Sequence, residues 1–273
     1  MIDITLQTFT IAFLLTLFAG LSTGIGAAIA FFSKFNNDKV FSIGLGFSAG
    51  VMIYVSFVEI FPKAQDAFSA TYSDTISHAL VVFFFFAGIG ITALIDKLIP
   101  TEINPHELKA DIQDKISEAS HKNLKRAGLF TAIAIAIHNF PEGFATFVAS
   151  TENLTLGISI ALAVAIHNIP EGMAISLPIY RATKDKKKAF LYALSSGIAE
   201  PLGAVLGFLI LLPILGDMAL GVTFATVAGI MIYISFDELL PTARVYGNSH
   251  TEILGITLGM LVMAVSLIAF KLA

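Results

Sequence analysis

Eight stretches of the chain carry little or no charge, at roughly 4–32, 40–61, 75–95, 127–150, 154–180, 189–212, 218–240 and 253–271. At about 1.5 Å per helical residue, each can cross, or nearly cross, the ~30 Å hydrocarbon core of a bilayer. The polar residues collect between them. This pattern predicts an all-α polytopic membrane protein with eight transmembrane helices, residues 1–273 forming a single transmembrane domain. The first stretch is preceded by no basic segment and runs charge-free for about 30 residues, so it is read as a helix and not as a cleaved leader. A composition of 56% apolar and 13% charged residues, with a mean hydropathy of +0.84, agrees and is unlike that of a soluble domain.

Eight crossings put both termini on one side of the membrane, and the basic residues decide which side. The connections 33–39, 96–126, 181–188 and 241–249 hold 14 of the 16 Lys and Arg; the remaining segments hold only Lys63 and Lys271. By the positive-inside rule those four connections face the cytoplasm, and the N- and C-termini lie outside. The long connection 96–126, between helices 3 and 4, is then a cytoplasmic loop whose alternating charges read as a solvated helix. The basic run at 181–188 needs no nucleic-acid partner, because charge of this kind beside a span end is ordinary.

AGVMIYVSFVEIFPKA at 49–64 returns as AGIMIYISFDELLPTA at 228–243, with ten identities in sixteen positions. Helix 2 runs outward and helix 7 inward, so the copies are inverted. A weaker echo, LSTGI at 21–25 and LSSGI at 194–198, links helices 1 and 6. Helices 1–3 and 6–8 therefore read as inverted repeats flanking helices 4 and 5, a 3+2+3 arrangement. Inverted repeats let a carrier expose one midplane site to either side. The repeat sets Glu59 near the outer end of helix 2 and Glu238 near the inner end of helix 7, with Asp237 beside it and Ser56 and Ser235 one turn deeper. Taken singly these acids are interfacial; as an inverted pair they mark two mouths of a pathway.

The chemistry concentrates in helices 4 and 5, where AIHNFPEG at 136–143 and AIHNIPEG at 165–172 repeat 29 residues apart. Helical rise places both at the same depth as Glu200 in helix 6. His138 and Glu142, like His167 and Glu171, are four residues apart and share a helical face, with Asn139 and Asn168 as further candidate ligands. Each carboxylate at that depth costs about 2.5–3.5 kcal/mol to insert, so three together call for water or a compensating cation. Pro141 and Pro170 remove amide donors, which frees the carbonyls of Ile137 and Ile166. Imidazole, amide and carboxylate donors suit a divalent transition metal, and the absence of Cys excludes a thiolate site. Shared carboxylates point to two ions side by side, which spacing alone does not establish.

HNFPEG in helix 4, HNIPEG in helix 5, GIAEPLG in helix 6 and SFDELLP in helix 7 resemble the ZIP (Zrt/Irt-like) family of metal transporters, most closely its bacterial zinc-uptake branch. The resemblance covers essentially the whole chain. It implies that His138, Asn139, Glu142, His167, Asn168, Glu171 and Glu200 hold transported metal in a two-metal site, with Glu142 and Glu171 bridging. It also implies uptake of Zn2+, and often Fe2+, Mn2+, Co2+ or Cd2+, into the cytoplasm across a bacterial inner membrane. Helices 1, 4, 5 and 6 would move as an elevator against helices 2, 3, 7 and 8. Two departures stand out. The 96–126 loop carries only His106 and His121 where many relatives have a His-rich tract, and Asp237 stands where many have His.

The zinc-protease pattern HExxH is missing, with Asn where its base would stand, and the di-iron order Glu-x-x-His is reversed, so no enzyme and no catalytic cofactor is expected. A passive divalent-metal channel or a proton-coupled exchanger is the alternative, since buried carboxylates also relay protons. Expected partners are divalent metal ions and the lipid bilayer. The glycines of helices 1, 2 and 6 permit close packing and leave a homodimer seam open. Phe83 to Phe86 read as lipid-facing or packing residues, and His78 and His250 as interfacial.

Overall fold

The computed structural model describes residues 5–31, 37–98, 118–211, 214 and 218–272, and these are almost wholly helical. We number the long helices α1 (Leu6–Ala30), α2 (Asp38–Ser69), α3 (Asp74–Leu98), α4 (Glu118–Glu152), α5 (Leu154–Thr183), α6 (Lys186–Ile210), α7 (Ala219–Tyr246) and α8 (Ser249–Leu272). Among the described residues seven of them, all but α4, are long and apolar enough to cross a membrane. The predicted cytoplasmic loop falls partly in α3 and α4, while residues 99–117, including His106, lie outside the described residues, as does the side chain of His121.

Local chemistry sets the helix ends. The side chains of Thr5, Asn37, Asn153 and Asp185 each accept a hydrogen bond from an amide in the first turn that follows, as N-caps do. Asn153 alone separates α4 from α5, and Lys184 with Asp185 separates α5 from α6, so these three helices must run antiparallel to their chain neighbours. Lys184 sits at φ 56°, the left-handed turn that ends α5.

Two helices extend past the ends read from polarity. α2 continues through Pro62 to Ser69 and α7 through Pro241 to Tyr246, and each contains a five-residue π turn, Ser56–Ile60 and Ser235–Leu239. The amides of Phe61 and Leu240 reach back to the carbonyls of Ser56 and Ser235. A proline one residue further on lacks an amide and crowds the preceding turn, and the extra residue of the π turn relieves this without ending the helix. In α6 the helix breaks at Ile198, between Gly197 and Ala199, where Pro201 removes the amide that would have bonded Gly197.

Packing divides the helices into two groups. α1, α4, α5 and α6 pack on one another; α2 packs on α8 and α7 on α3, with α2 and α7 also in contact. The groups meet where α2 lies on α5 and α7 on α4. Close backbone approaches obey an internal symmetry. A methyl on Gly50 of α2 would strike the Ile256 carbonyl of α8, and one on Gly229 of α7 would strike the Phe85 carbonyl of α3. Gly259 against Phe47 and Gly88 against Thr226 form the second such pair. Every α2 residue in these pairs lies 179 positions before its α7 counterpart, the offset of the sixteen-residue repeat. Phe83 and Phe86 point outward at 65% and 62% exposure, whereas Phe85 is buried, its ring against Phe57 and Phe61 of α2 and its carbonyl against Gly229 of α7.

Candidate metal centre

α4, α5 and α6 bring their acids to one buried place. Glu142, Glu171 and Glu200 are at most 2% exposed, and both Glu142 and Glu171 lie within electrostatic reach of Glu200. His167 Nε2 is 3.0 Å from Glu142 Oε1 across the α4–α5 interface. The Asn168 amide donates to Glu200 Oε1 and, at 3.0 Å, to the Ala19 carbonyl of α1. Asn139 donates in the same manner to the Ser196 carbonyl of α6, at 3.3 Å. Both amides thus spend their hydrogens on a neighbouring helix, which turns their oxygens the other way. Asn139 Oδ1, Asn168 Oδ1 and Glu200 Oε2 are buried and have no hydrogen-bond partner among the described residues. Buried acceptors left in this way cost about 1–3 kcal/mol each unless something fills their coordination.

Glycine makes the closeness possible. A methyl on Gly143 would overlap the backbone of Glu200, and one on Gly172 would overlap the carbonyl of Thr23 in α1. The residue following each motif glutamate therefore lets a neighbouring helix approach to backbone contact. Proline acts alongside it: Pro141, Pro170 and Pro201 each adjoin one of the three glutamates, so every acid sits where its helix has lost an amide.

Six of the seven residues predicted at the centre, Asn139, Glu142, His167, Asn168, Glu171 and Glu200, are buried and grouped here. His138 lies in α4, and its side chain is outside the described residues. Among the described residues no three His, Asp or Glu side chains close around a single point, so the carboxylates and the amide oxygens have to be considered together as the donor set. The residues expected at the two mouths lie symmetrically on the two π turns. Ser56 and Ser235 are fully buried, Glu59 and Asp237 half-buried and Glu238 buried. Ser56 donates to Met231 Sδ at 3.7 Å and Ser235 to the Met231 carbonyl at 2.7 Å.

Three participants were not anticipated from the sequence. The Ser48 hydroxyl of α2 donates to the His167 carbonyl at 3.2 Å and ties the two helix groups together at the centre. Tyr233 engages both Asp237 and Asp96, which joins α7 to the end of α3. Thr23 faces α5 and α6 from α1. Partners so distant in sequence leave no local signal, but α1 and α6 share a six-residue glycine spacing, Gly20 to Gly26 and Gly197 to Gly203, that could have aligned them.

Seven helices long and apolar enough to cross a bilayer, packed around a buried cluster of His, Asn and carboxylate side chains, define a multi-pass membrane protein. A family model described as "ZIP Zinc transporter" matches residues 97–267, more than half of the chain, and the chain belongs to that family. It is 55% identical over 96% of its length to a Campylobacter jejuni protein named "Zinc transporter ZupT", of which 97% is covered. Proteins of the same name from Chlorobaculum parvum and Clostridium perfringens are 57% and 53% identical, over 95% of this chain and 97% and 95% of their own lengths.

Proposed function

We propose that this protein carries divalent transition-metal ions, Zn2+ foremost and Fe2+, Mn2+, Co2+ and Cd2+ as further substrates, into the bacterial cytoplasm through the buried centre of α4, α5 and α6. The observation that carries this reading is the set of oxygens on Asn139, Asn168 and Glu200 that have no hydrogen-bond partner among the described residues, beside two more buried carboxylates and His167. Oxygen and imidazole donors gathered where water is scarce suit a Zn2+-like ion, and relatives of more than half identity bear a zinc transporter's name. With His138 from α4, the donors suffice for two ions sharing Glu142 and Glu171.

α4 serves as the eighth span, which puts both termini outside and the basic loops in the cytoplasm. The division of contacts into α1, α4, α5, α6 and α2, α3, α7, α8 supports an elevator in which the first group slides against the second, with Glu59 at the outer mouth and Asp237 and Glu238 at the inner. The test is uptake of radioactive Zn2+ into sealed proteoliposomes by the parent and by Glu142→Ala, Glu171→Ala and Glu200→Ala, with and without imposed pH and voltage gradients. Saturable flux lost in the folded variants is the expected result. Flux that survives all three substitutions refutes the site, and flux that never saturates identifies a channel.

A further inference from the structure

The centre has a pseudo-twofold construction whose register differs from the LSTGI and LSSGI echo. Gly26 of α1 meets the Ile169 carbonyl of α5, and Gly203 of α6 meets the Phe140 carbonyl of α4. Gly172 meets the Thr23 carbonyl, and Gly143 the Glu200 carbonyl. Asn168 donates to the Ala19 carbonyl, and Asn139 to the Ser196 carbonyl. In all three pairs the α4 and α5 residues are 29 apart, and the α1 and α6 residues 177 apart. Gly20 and Gly197, also 177 apart, strike each other's carbonyls, as residues on the axis itself must. The sequence echo has an offset of 173, so it is out of register by about one helical turn.

In the structural register the counterpart of Glu200 is Thr23. Its side chain is fully buried, and its hydroxyl has no hydrogen-bond partner among the described residues. Threonine in a membrane helix commonly returns its hydrogen to the carbonyl four residues back, which the buried Thr23 hydroxyl, like that of Thr146 in α4, does not do. Thr16, Thr92 and Thr257 do so. For Thr23 that carbonyl is Ala19, which already accepts from Asn168 and Ser22. The Thr23 hydroxyl instead lies toward Gly197, one turn before Glu200, where an added Cβ would come within 2.9 Å of it.

Resting on the metal-site reading above, we propose that Thr23 is a further metal-contacting residue, the neutral oxygen donor that faces the half of the centre opposite Glu200. The two halves share Asn and Glu donors but differ in this one position, which leaves one metal position a carboxylate and the other a hydroxyl. A neutral oxygen favours harder ions such as Mn2+ over soft Cd2+, so Thr23 tunes selectivity.

The test compares Mn2+ and Cd2+ uptake by the parent, Thr23→Val and Thr23→Ser in proteoliposomes, with equilibrium binding of each ion to the purified protein. Thr23→Val should raise the KM and the binding constant for Mn2+ about three- to tenfold, the size of one lost neutral polar contact, while those for Cd2+ stay within about twofold and Thr23→Ser restores the parental ratio. Equal shifts for both ions, a change in Vmax alone, or no change overturns the proposal, because a packing residue does not discriminate metals. Should Thr23→Val fail to elute as a folded species, Thr23→Ala makes the same comparison without the branched volume. Glu200→Gln, run in parallel, separates the two claims: parental binding of both ions by that variant overturns the metal-site reading and this proposal together, whereas a defective Glu200→Gln beside a parental Thr23→Val overturns this proposal alone.

Discussion

Gly143→Ala is the sharpest test of how α4 and α6 build the centre. Its new methyl would fall on the carbonyl, the carbonyl carbon and the Cα of Glu200, all of them backbone atoms that no rotamer change can move. For the contact to become ordinary the two helices must part by about 1 Å, and overpacking of this kind costs about 1–3 kcal/mol. The displacement is delivered to the residue that bears Glu200 and accepts from Asn168, so binding should weaken along with stability. Gly90→Ala supplies the control: nothing lies within 4 Å of a methyl there, and in a helix interior alanine gains roughly 0.5–1 kcal/mol over glycine. The assays are thermal unfolding of the purified protein and the binding constant for Zn2+. We expect Gly143→Ala to lower both Tm and affinity and Gly90→Ala to hold affinity and raise Tm slightly. Parental Zn2+ affinity in a folded Gly143→Ala would refute the inference that α4 and α6 meet at backbone contact to place Glu200.

Three further outcomes follow from the same contacts. Ligand linkage predicts that Zn2+ at a hundred times its Kd stabilises the parent by about 2.7 kcal/mol; an unfolding scan of Glu142→Ala should show that gain lost, and an undiminished gain would mean that Zn2+ binds elsewhere. Ser48→Ala deletes a hydroxyl that ties α2 to the His167 carbonyl, and because the two helix groups slide past one another in the proposed cycle, it should change Vmax for Zn2+ uptake with KM nearly constant, checked by initial rates. Arg244 makes a two-pronged pair with the buried Glu252, at 2.7 and 3.0 Å, between α7 and α8; Arg244→Ala strands that carboxylate and should lower Tm, while Zn2+ affinity stays parental.

The parts of the centre that the sequence displays are those repeated within it. HNFPEG and HNIPEG advertise themselves by recurring, and depth counting puts Glu200 with them because helical rise is constant. The π turns were within reach too, since a proline inside a long apolar segment must either end the helix or distort it. Thr23 was not. It shares no identity with Glu200, and the echo that links α1 to α6 is made of small residues that can match at the wrong turn. What fixes the true register is backbone meeting backbone at Gly26 and Gly203, a relation between helices that no single stretch contains. Asp96 and Tyr233 were missed for the same reason, since their meeting depends on how α3 and α7 pack.

The symmetry of the interior also bears on why the centre sits where it does. An inverted repeat brings like elements together only near its axis, and there the mutual contact of Gly20 and Gly197 leaves no room for side chains. Donors must therefore come from the helices flanking that contact, and the Asn139 and Asn168 amides are anchored on Ser196 and Ala19, the residues next to Gly197 and Gly20. Perfect symmetry would give both halves the same charge. Substituting a hydroxyl for a carboxylate on one side removes a like charge from a place where three already lie close, and in a medium of low dielectric each added like charge raises the cost of the empty site steeply. In the proposed carrier, whose centre is emptied in every cycle, a hydroxyl at Thr23 where symmetry would put a second Glu200 keeps that cost lower.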